Sequence, residues 1–208
     1  MCQPTDPSRM RDISFVAPNV TQLKALAHPV RVKMLGILRM DGPSTATRLA
    51  ERLGLNSGAT SYHLRQLAQH GFVEEDDERG NRRDRWWRSV HESTTTRPTD
   101  LSDDSAREAM GAYWQAVGYT QLEDLAAAFR ERAALPLRWQ DVSAHSDWWM
   151  WLTPDQAEEL LTRMHVLLGE YAGRAPADRT QAAPDAEQFI VQLHGFPRPG
   201  TLSGGGRS

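Results

Sequence analysis

The sequence predicts a mainly α-helical fold with a small β component (α+β), in which a winged helix-turn-helix domain precedes a mostly helical C-terminal domain with one or more short strands. Three patterns lead to this prediction. Apolar residues recur at helical spacing through the first third of the chain, an arginine-rich hairpin pattern follows them, and longer helical patterns occupy the second half. With 39% hydrophobic and 25% charged residues, the composition is that of an ordinary globular protein.

Changes in composition predict two domains with a linker and two terminal segments. We expect flexible ends at 1–18 and 199–208, a winged helix-turn-helix domain at 19–91, a linker at 92–101 and a helical domain at 102–198. The linker prediction depends on the polar run HESTTTRPTD, which contains proline and offers few side chains for a core.

The sequence carries no recognisable targeting or redox signal. The N-terminus lacks the basic and then apolar pattern of a secretory signal, and no apolar run approaches the roughly 18 residues of a membrane span. We therefore expect a cytoplasmic protein with no membrane partner. Cys2 is the single cysteine, which excludes an intramolecular disulfide.

The net charge of −3 conceals an asymmetry along the chain. Residues 19–91 carry twelve Lys and Arg against eight Asp and Glu, whereas residues 92–208 carry ten against seventeen. A basic N-terminal part beside an acidic C-terminal part is typical of a nucleic-acid-binding module joined to a domain with another task. An imbalance of this size also occurs in proteins that bind no nucleic acid. The charge distribution alone therefore does not distinguish the two classes, and sequence motifs are needed.

Four patterns of helical spacing occur in the first domain. The first helix ends at the His28-Pro29 step, because proline disfavours helix in the residue before it, and Pro29 suits the start of the second helix. A tight turn at 54–56 separates the third helix from the fourth, and two short helices joined in this way form a helix-turn-helix. The expected helices are 20–27, 29–40, 45–53 after an N-cap at Ser44, and 57–70 before a left-handed glycine cap.

The fourth helix, 57–70, has two chemically different faces. Its inward face is predicted to carry Thr60, His63, Leu64 and Leu67. Its outward face lacks bulky aliphatic residues and carries short hydroxyls, a tyrosine and an arginine, which can bond base edges or phosphates in a major groove. The alternative is an ordinary solvated helix face. The outward residues are Ser57, Ser61, Tyr62, Arg65 and Gln69.

A β-hairpin wing is predicted after this helix, with strands at 72–75 and 84–90 around a tip that contains Gly80-Asn81. Wing arginines could grip phosphates or enter the minor groove, or could pair with the carboxylates of the preceding EEDDE run. Trp86 and Trp87 alternate across the second strand, so we expect one of them to face the core. The wing arginines are Arg79, Arg82, Arg83 and Arg85.

With these motifs, the sequence resembles the arsenic-repressor-like (ArsR-like) winged-helix transcriptional regulators. The resemblance rests on LAHPVR at the start of the second helix, SYHLRQL in the fourth, and the arginine-rich hairpin after them. It implies a homodimer that binds a roughly palindromic operator on double-stranded DNA through helix 57–70 and wing 76–85, commonly as a repressor. The expected DNA-contacting residues are Thr45, Ser57, Ala59, Ser61, Tyr62, Arg65, Arg82 and Arg83.

The sequence also departs from this family. Metal-sensing members carry paired cysteines in the helix before the recognition helix, and the corresponding TRLAERL here has neither cysteine nor histidine. Metal sensing at that site is therefore excluded. Five of the seven histidines, His70, His91, His145, His165 and His194, form no ligand-spaced pair, so we expect no metal site and no cofactor. His28 and His63 lie within helix motifs, where capping or packing accounts for them.

In the second domain, two helical patterns stand out. The first begins near 102–104 and runs to about Ala134 with an apolar stripe, which could pack within its own domain or form a dimer interface that spaces two recognition helices about 34 to 36 Å apart. The second begins at the capping box Thr153-Pro154-Asp155-Gln156. A strand is predicted over 189–196. The C-terminal layout also resembles a group of ArsR-like regulators with an extended C-terminal domain.

The tryptophans of the second domain are unusually dense. They could line an aromatic pocket for an apolar or planar small-molecule effector, or they could supply a small core or a dimer seam. The residues concerned are Trp114, Trp139, Trp148, Trp149 and Trp151.

The sequence bears on three classes of function. A DNA-binding transcriptional regulator accounts for the most features, and the alternative is a winged-helix protein-interaction module that does not bind DNA. We do not expect an enzyme or catalytic residues, because the sequence lacks a Ser/His/Asp motif, a glycine-rich phosphate loop and an HExxH motif.

Overall fold

The computed structural model describes residues 13–79, 84–96, 103–176 and 179–202. Its contacts group the chain into two compact units. Among the described residues, the first unit runs up to Val142 and the second begins at Ser143.

The first unit is built from short helices, short strands and one long helix. In chain order its elements are β1 Phe15–Val16, α1 Val20–Leu26, α2 Pro29–Met40, β2 Ser44–Thr45, α3 Ala46–Leu53, α4 Ser57–Gln69, β3 Val73–Glu75, β4 Trp86–Ser89, β5 Ser93–Thr94, α5 Asp104–Glu131, a 3₁₀ turn at Arg132–Ala134 and α6 Leu137–Val142.

Side-chain caps fix where these helices begin. Asn19 accepts the backbone N–H of Gln22, whose side chain accepts the N–H of Asn19 in return, which forms a capping box for α1. His28 caps α2 through its ring nitrogen. The cap of α3 is Thr45 and not Ser44 as predicted, because Ser44 and Thr45 extend as strand β2 before the helix begins.

The wing belongs to a three-stranded antiparallel sheet in the order β2-β4-β3. Strand β4 lies in the middle, with Trp87 opposite Ser44 on one side and Glu75 on the other. Trp87 is buried and Trp86 is half-buried, which agrees with the alternation predicted across this strand.

The core of the first unit lies between helices α1 to α4 and the sheet. Its fully buried side chains include the inward face of α4 as predicted, with Thr60, Leu64 and Leu67 at 0% exposure. Burial of such apolar side chains is the main favourable contribution to folding. The cluster consists of Ala25, Leu26, Met34, Leu35, Ile37, Leu38, Leu49, Leu64, Leu67, Phe72, Val73 and Trp87.

Helix α5 packs on this unit through α1 and α2. Ala109 and Met110 of α5 form a buried cluster with Leu23 of α1. The predicted linker at 92–101 differs from the structure in its described part, because Ser93–Thr94 pair in parallel with β1 at Phe15–Val16. The first unit consequently continues through α5 to Val142, and the flexible N-terminal segment predicted for 1–18 contains a strand in its described part.

The second unit contains α7, Pro154–Arg174, and a 3₁₀ turn at Arg179–Gln181. Thr153 and Gln156 form the predicted capping box at its start. The strand predicted over 189–196 is absent from this described segment, whose residues form neither helix nor strand. Gly195 instead lies against α7, where an added Cβ would come within 2.8 Å of Leu161.

Across the described ranges, no helix is both long enough and apolar enough to span a bilayer.

Candidate nucleic-acid interface

Helices α3 and α4 form the helix-turn-helix. Helix α3 ends at Gly54, which adopts a left-handed conformation with φ of 65°, and Asn56 caps α4 by accepting the N–H of Ala59 at 2.8 Å. A left-handed residue at this position is inexpensive only for glycine, so the turn depends on Gly54. The backbone N–H groups of Ser57 and Gly58 have no acceptor among the described residues and face the helix N-terminus.

Of the residues predicted on the outward face of α4, all but Ser61 are exposed, and their contact with DNA stays a prediction. Ser57 and Arg65 are exposed, Tyr62 is half exposed at 50%, and Ala59 and Ser61 are partly covered. No carboxylate in the described part of the chain pairs with Arg65. The helix therefore presents a cationic and hydroxyl-bearing face on one side while its other side is held in the core.

Thr45 has a different role from the residues of this face. Its side chain is buried and its hydroxyl oxygen accepts the N–H of Arg48 at 3.3 Å. This hydroxyl acts as the N-cap of α3, and a DNA contact by Thr45 stays a prediction.

The described wing arginines are paired with carboxylates of the same hairpin. Arg85 lies 3.1 Å from Glu75, and Arg79 lies 3.6 Å from Asp76. This arrangement follows the alternative in which the acidic run neutralises the wing. Arg82 and Arg83, the two wing residues predicted to contact DNA, lie outside the described residues.

Arg48 is a cationic residue that the sequence analysis did not single out. It is exposed on α3, and its guanidinium lies 4.8 Å from the ring centroid of Trp86. A cation over an indole face keeps its charge while its stem is immobilised. The sequence shows that Arg48 lies three residues after Thr45, at the start of α3. Its stacking on Trp86 depends on the β2-β4 pairing, which brings α3 and β4 together.

Two histidines connect α2 to α4 behind the outward face. The rings of His28 and His63 lie 4.6 Å apart, and His63 also contacts Tyr62 edge-on at 5.5 Å. His28 Nδ1 accepts the N–H of Val30 at 3.2 Å, so this nitrogen carries no proton. Burial lowers the pKa of both histidines, with the nearby Arg31 cation adding to the effect.

The aromatic pocket predicted for an effector is not enclosed within either unit. Trp148 and Trp149 are each 81% exposed and Trp151 is 102% exposed, so these rings are open to solvent. In the first unit, Trp114 is exposed and donates to Thr96 at 3.4 Å, and Trp139 is half-buried. An effector site at these residues stays a prediction. Within the described ranges, no three His, Cys, Asp or Glu side chains are grouped as metal ligands.

The geometry defines the class of domain, a helix-turn-helix with a hairpin wing, and comparison with known proteins places it more closely. Residues 26–76 match the family described as a helix-turn-helix domain. The HTH-type transcriptional regulator NmtR of Mycobacterium tuberculosis is 40% identical over 67 residues, which are 32% of this chain and 55% of that protein. The chain thus spans about half the length of this curated relative, and residues 26–76 form a helix-turn-helix domain.

A solved structure of an apo mutant of Lactococcus lactis ZitR is also similar. It is 14% identical, with 73% of this chain and 89% of that chain covered, at a TM-score of 0.31.

Proposed function

We propose that this protein is a DNA-binding transcriptional regulator that binds an inverted-repeat operator as a homodimer and represses transcription. The observation that carries the proposal is the outward face of α4, where an exposed Arg65 without an ion pair among the described residues stands beside short hydroxyls on a helix held in the core. The helix-turn-helix domain and the similarity to a named transcriptional regulator support the same function.

Each part of this face has a chemical role in DNA binding. Arg65 can donate two hydrogen bonds to a guanine edge, and Ser57 and Ser61 can donate or accept at neighbouring bases or phosphates. The unpaired N–H groups at the start of α4, together with the positive end of the helix dipole, suit a phosphate. Arg48, held on Trp86, adds a second phosphate-binding cation on α3.

A homodimer is supported by the exposed side of α5. One side of this 28-residue helix packs on α1 and α2, while Trp114, Leu122, Leu125 and Phe129 form an apolar stripe open to solvent on another side. These residues follow one another at intervals of eight, three and four, which places them on one helix face. A continuous exposed stripe of this kind is typical of a helix that packs against another helix, and a second α5 supplies an identical one.

The proposal is tested by selecting bound fragments from a random duplex library with the purified full chain and measuring the winner's affinity across a salt series. We expect an inverted repeat whose binding weakens with salt as counterions are released. Arg65→Ala should weaken operator binding by about 1 to 3 kcal/mol, which is roughly fivefold to 150-fold. Arg138→Ala on α6, which removes the same charge from an exposed position outside α4 and the α5 stripe, is the matched control.

Failure of the selection would favour the other function class. A chain that enriches no sequence and shows no salt-dependent duplex binding would be the winged-helix interaction module. The ion pairs of Arg79 and Arg85 are the observation consistent with that alternative, because they reduce the free positive charge of the wing.

A further inference from the structure

The second unit exposes a run of large apolar side chains just before α7. Trp148, Trp149, Met150, Trp151 and Leu152, which we call the tryptophan segment, are all exposed, and none of the five is charged. Monomeric proteins rarely leave a contiguous apolar patch of several hundred Å² open to water. The segment is therefore a candidate contact surface.

The second unit cannot cover this segment with a core of its own. Among its described residues, Gly173 is the single buried one, and the apolar side chains of α7 are half-buried at best. A unit of this size normally depends on a buried apolar core to offset its loss of conformational entropy. The unit consequently needs an external apolar surface in order to be stable.

The area of the segment suits a protein interface. With about 200 Å² for each fully exposed tryptophan side chain, exposed fractions of 81, 81 and 102% amount to roughly 500 Å². Met150 and Leu152 extend the same surface. A standard interface buries about 800 Å² on each partner, and the summed exposed area of the three rings is more than half of this value.

The polarity of the surroundings decides which occupant fits. Trp149 Nε1 donates to the Asp147 carboxylate at 2.7 Å, so the polar edge of this indole is already satisfied and its apolar faces remain available. Residues 143–208 carry eight acidic and five basic residues, a balance that opposes binding to anionic lipid or nucleic acid. A dry, apolar protein surface is the chemistry that remains.

We propose that the tryptophan segment packs against the second copy of this chain and forms a second interface of the homodimer. The inference rests on the proposed dimer. Two copies already joined through α5 would hold their tryptophan segments at a high effective concentration relative to each other. In a two-fold dimer the same patch contributes to both sides, so the two tryptophan segments together supply an isologous contact. Trp148, Trp149 and Trp151 act in this contact as anchors.

The test is the self-association of the full chain by analytical ultracentrifugation over a concentration series. Four proteins are compared: wild type, Trp148→Ser/Trp151→Ser, Leu122→Glu in the α5 stripe, and Leu137→Ser as a control with a similarly exposed apolar side chain outside both surfaces. We expect the double tryptophan variant to dissociate at a concentration about tenfold higher or more, the control to match wild type, and Leu122→Glu to be monomeric.

The outcomes separate the two proposals. A dimer that depends on Leu122 and is indifferent to the tryptophan substitutions overturns the second interface and leaves the regulator proposal standing. A wild-type chain that stays monomeric at every concentration overturns both.

A second measurement does not require the double tryptophan variant to fold. It also detects packing of the tryptophan segment on its own chain. In the full chain labelled with 5-fluorotryptophan, the ¹⁹F signals of Trp148 and Trp151 should be shielded from a soluble paramagnetic agent in the wild-type dimer. The same signals should become accessible in the Leu122→Glu variant. Shielding that persists in that monomer would mean that the segment packs on its own chain, which contradicts the proposal.

Discussion

Replacement of Leu64 by alanine tests whether the outward face of α4 is held in place from behind. Leu64 is 0% exposed and lies in the core cluster that joins α4 to α2, α3 and the sheet. The substitution removes three buried carbon atoms at about 0.8 kcal/mol each, and the cavity left behind adds to this cost. We therefore expect the free energy of unfolding of the first unit to fall by about 2 to 5 kcal/mol.

This loss is a large fraction of the roughly 5 to 15 kcal/mol that stabilises a typical domain. Urea denaturation of the full chain, followed by far-UV circular dichroism, gives the unfolding midpoint, and hydrogen exchange of the α4 amides locates the loss. Leu137→Ala is the matched control, because Leu137 is 77% exposed on α6 and its truncation should cost under about 0.5 kcal/mol. Equal midpoints for the two variants would refute the assignment of Leu64 to the core.

Two further predictions concern the start of α4 and the histidine pair behind it. Asn56→Ala removes the side chain that accepts the Ala59 N–H and should lower the free energy of unfolding in urea by about 1 kcal/mol. Asn56→Asp is the control, because it keeps a capping side chain. An equal loss of stability in both variants would contradict the capping role. The lowered pKa of His28 and His63 means that the unfolded chain binds protons more readily, so the free energy of unfolding should fall as pH drops below the ordinary histidine value of 6.5, and this loss continues down to the folded pKa. His28→Asn retains a capping side chain without a titrating ring and should flatten this decline between pH 8 and 5, whereas an unchanged slope would exclude His28 as a source.

The helices of the first unit follow from local sequence, which is why they could be predicted. Proline at 29, glycine at 54 and 71, and apolar spacing within α2 and α4 act over a few residues, and α4 is found at Ser57–Gln69 with its predicted inward face buried. The outward set of Ser57, Ser61, Tyr62 and Arg65 follows from the same period, because a face that lacks aliphatic residues is left to solvent.

The remaining features depend on contacts between distant residues. Strand β2 needs β4, some forty residues away, to define it, and this pairing moves the α3 cap from Ser44 to Thr45. The stacking of Arg48 on Trp86 has the same origin. In the second unit, the pattern FIVQLHGF has the composition of a strand but no neighbouring strand in the described residues to pair with, and sequence composition cannot supply that partner.

The parallel pairing of β1 with β5 determines which helices would transmit a movement of α5 to the helix-turn-helix. Because the two strands run in the same direction, the segments that follow them leave the pair from the same end, and α1 and α5 end up side by side at Leu23 and Met110. Helix α5 contacts both α1 and α2, and each of these helices also contacts α4. A reorientation of α5 would therefore be transmitted to the helix-turn-helix along two short routes.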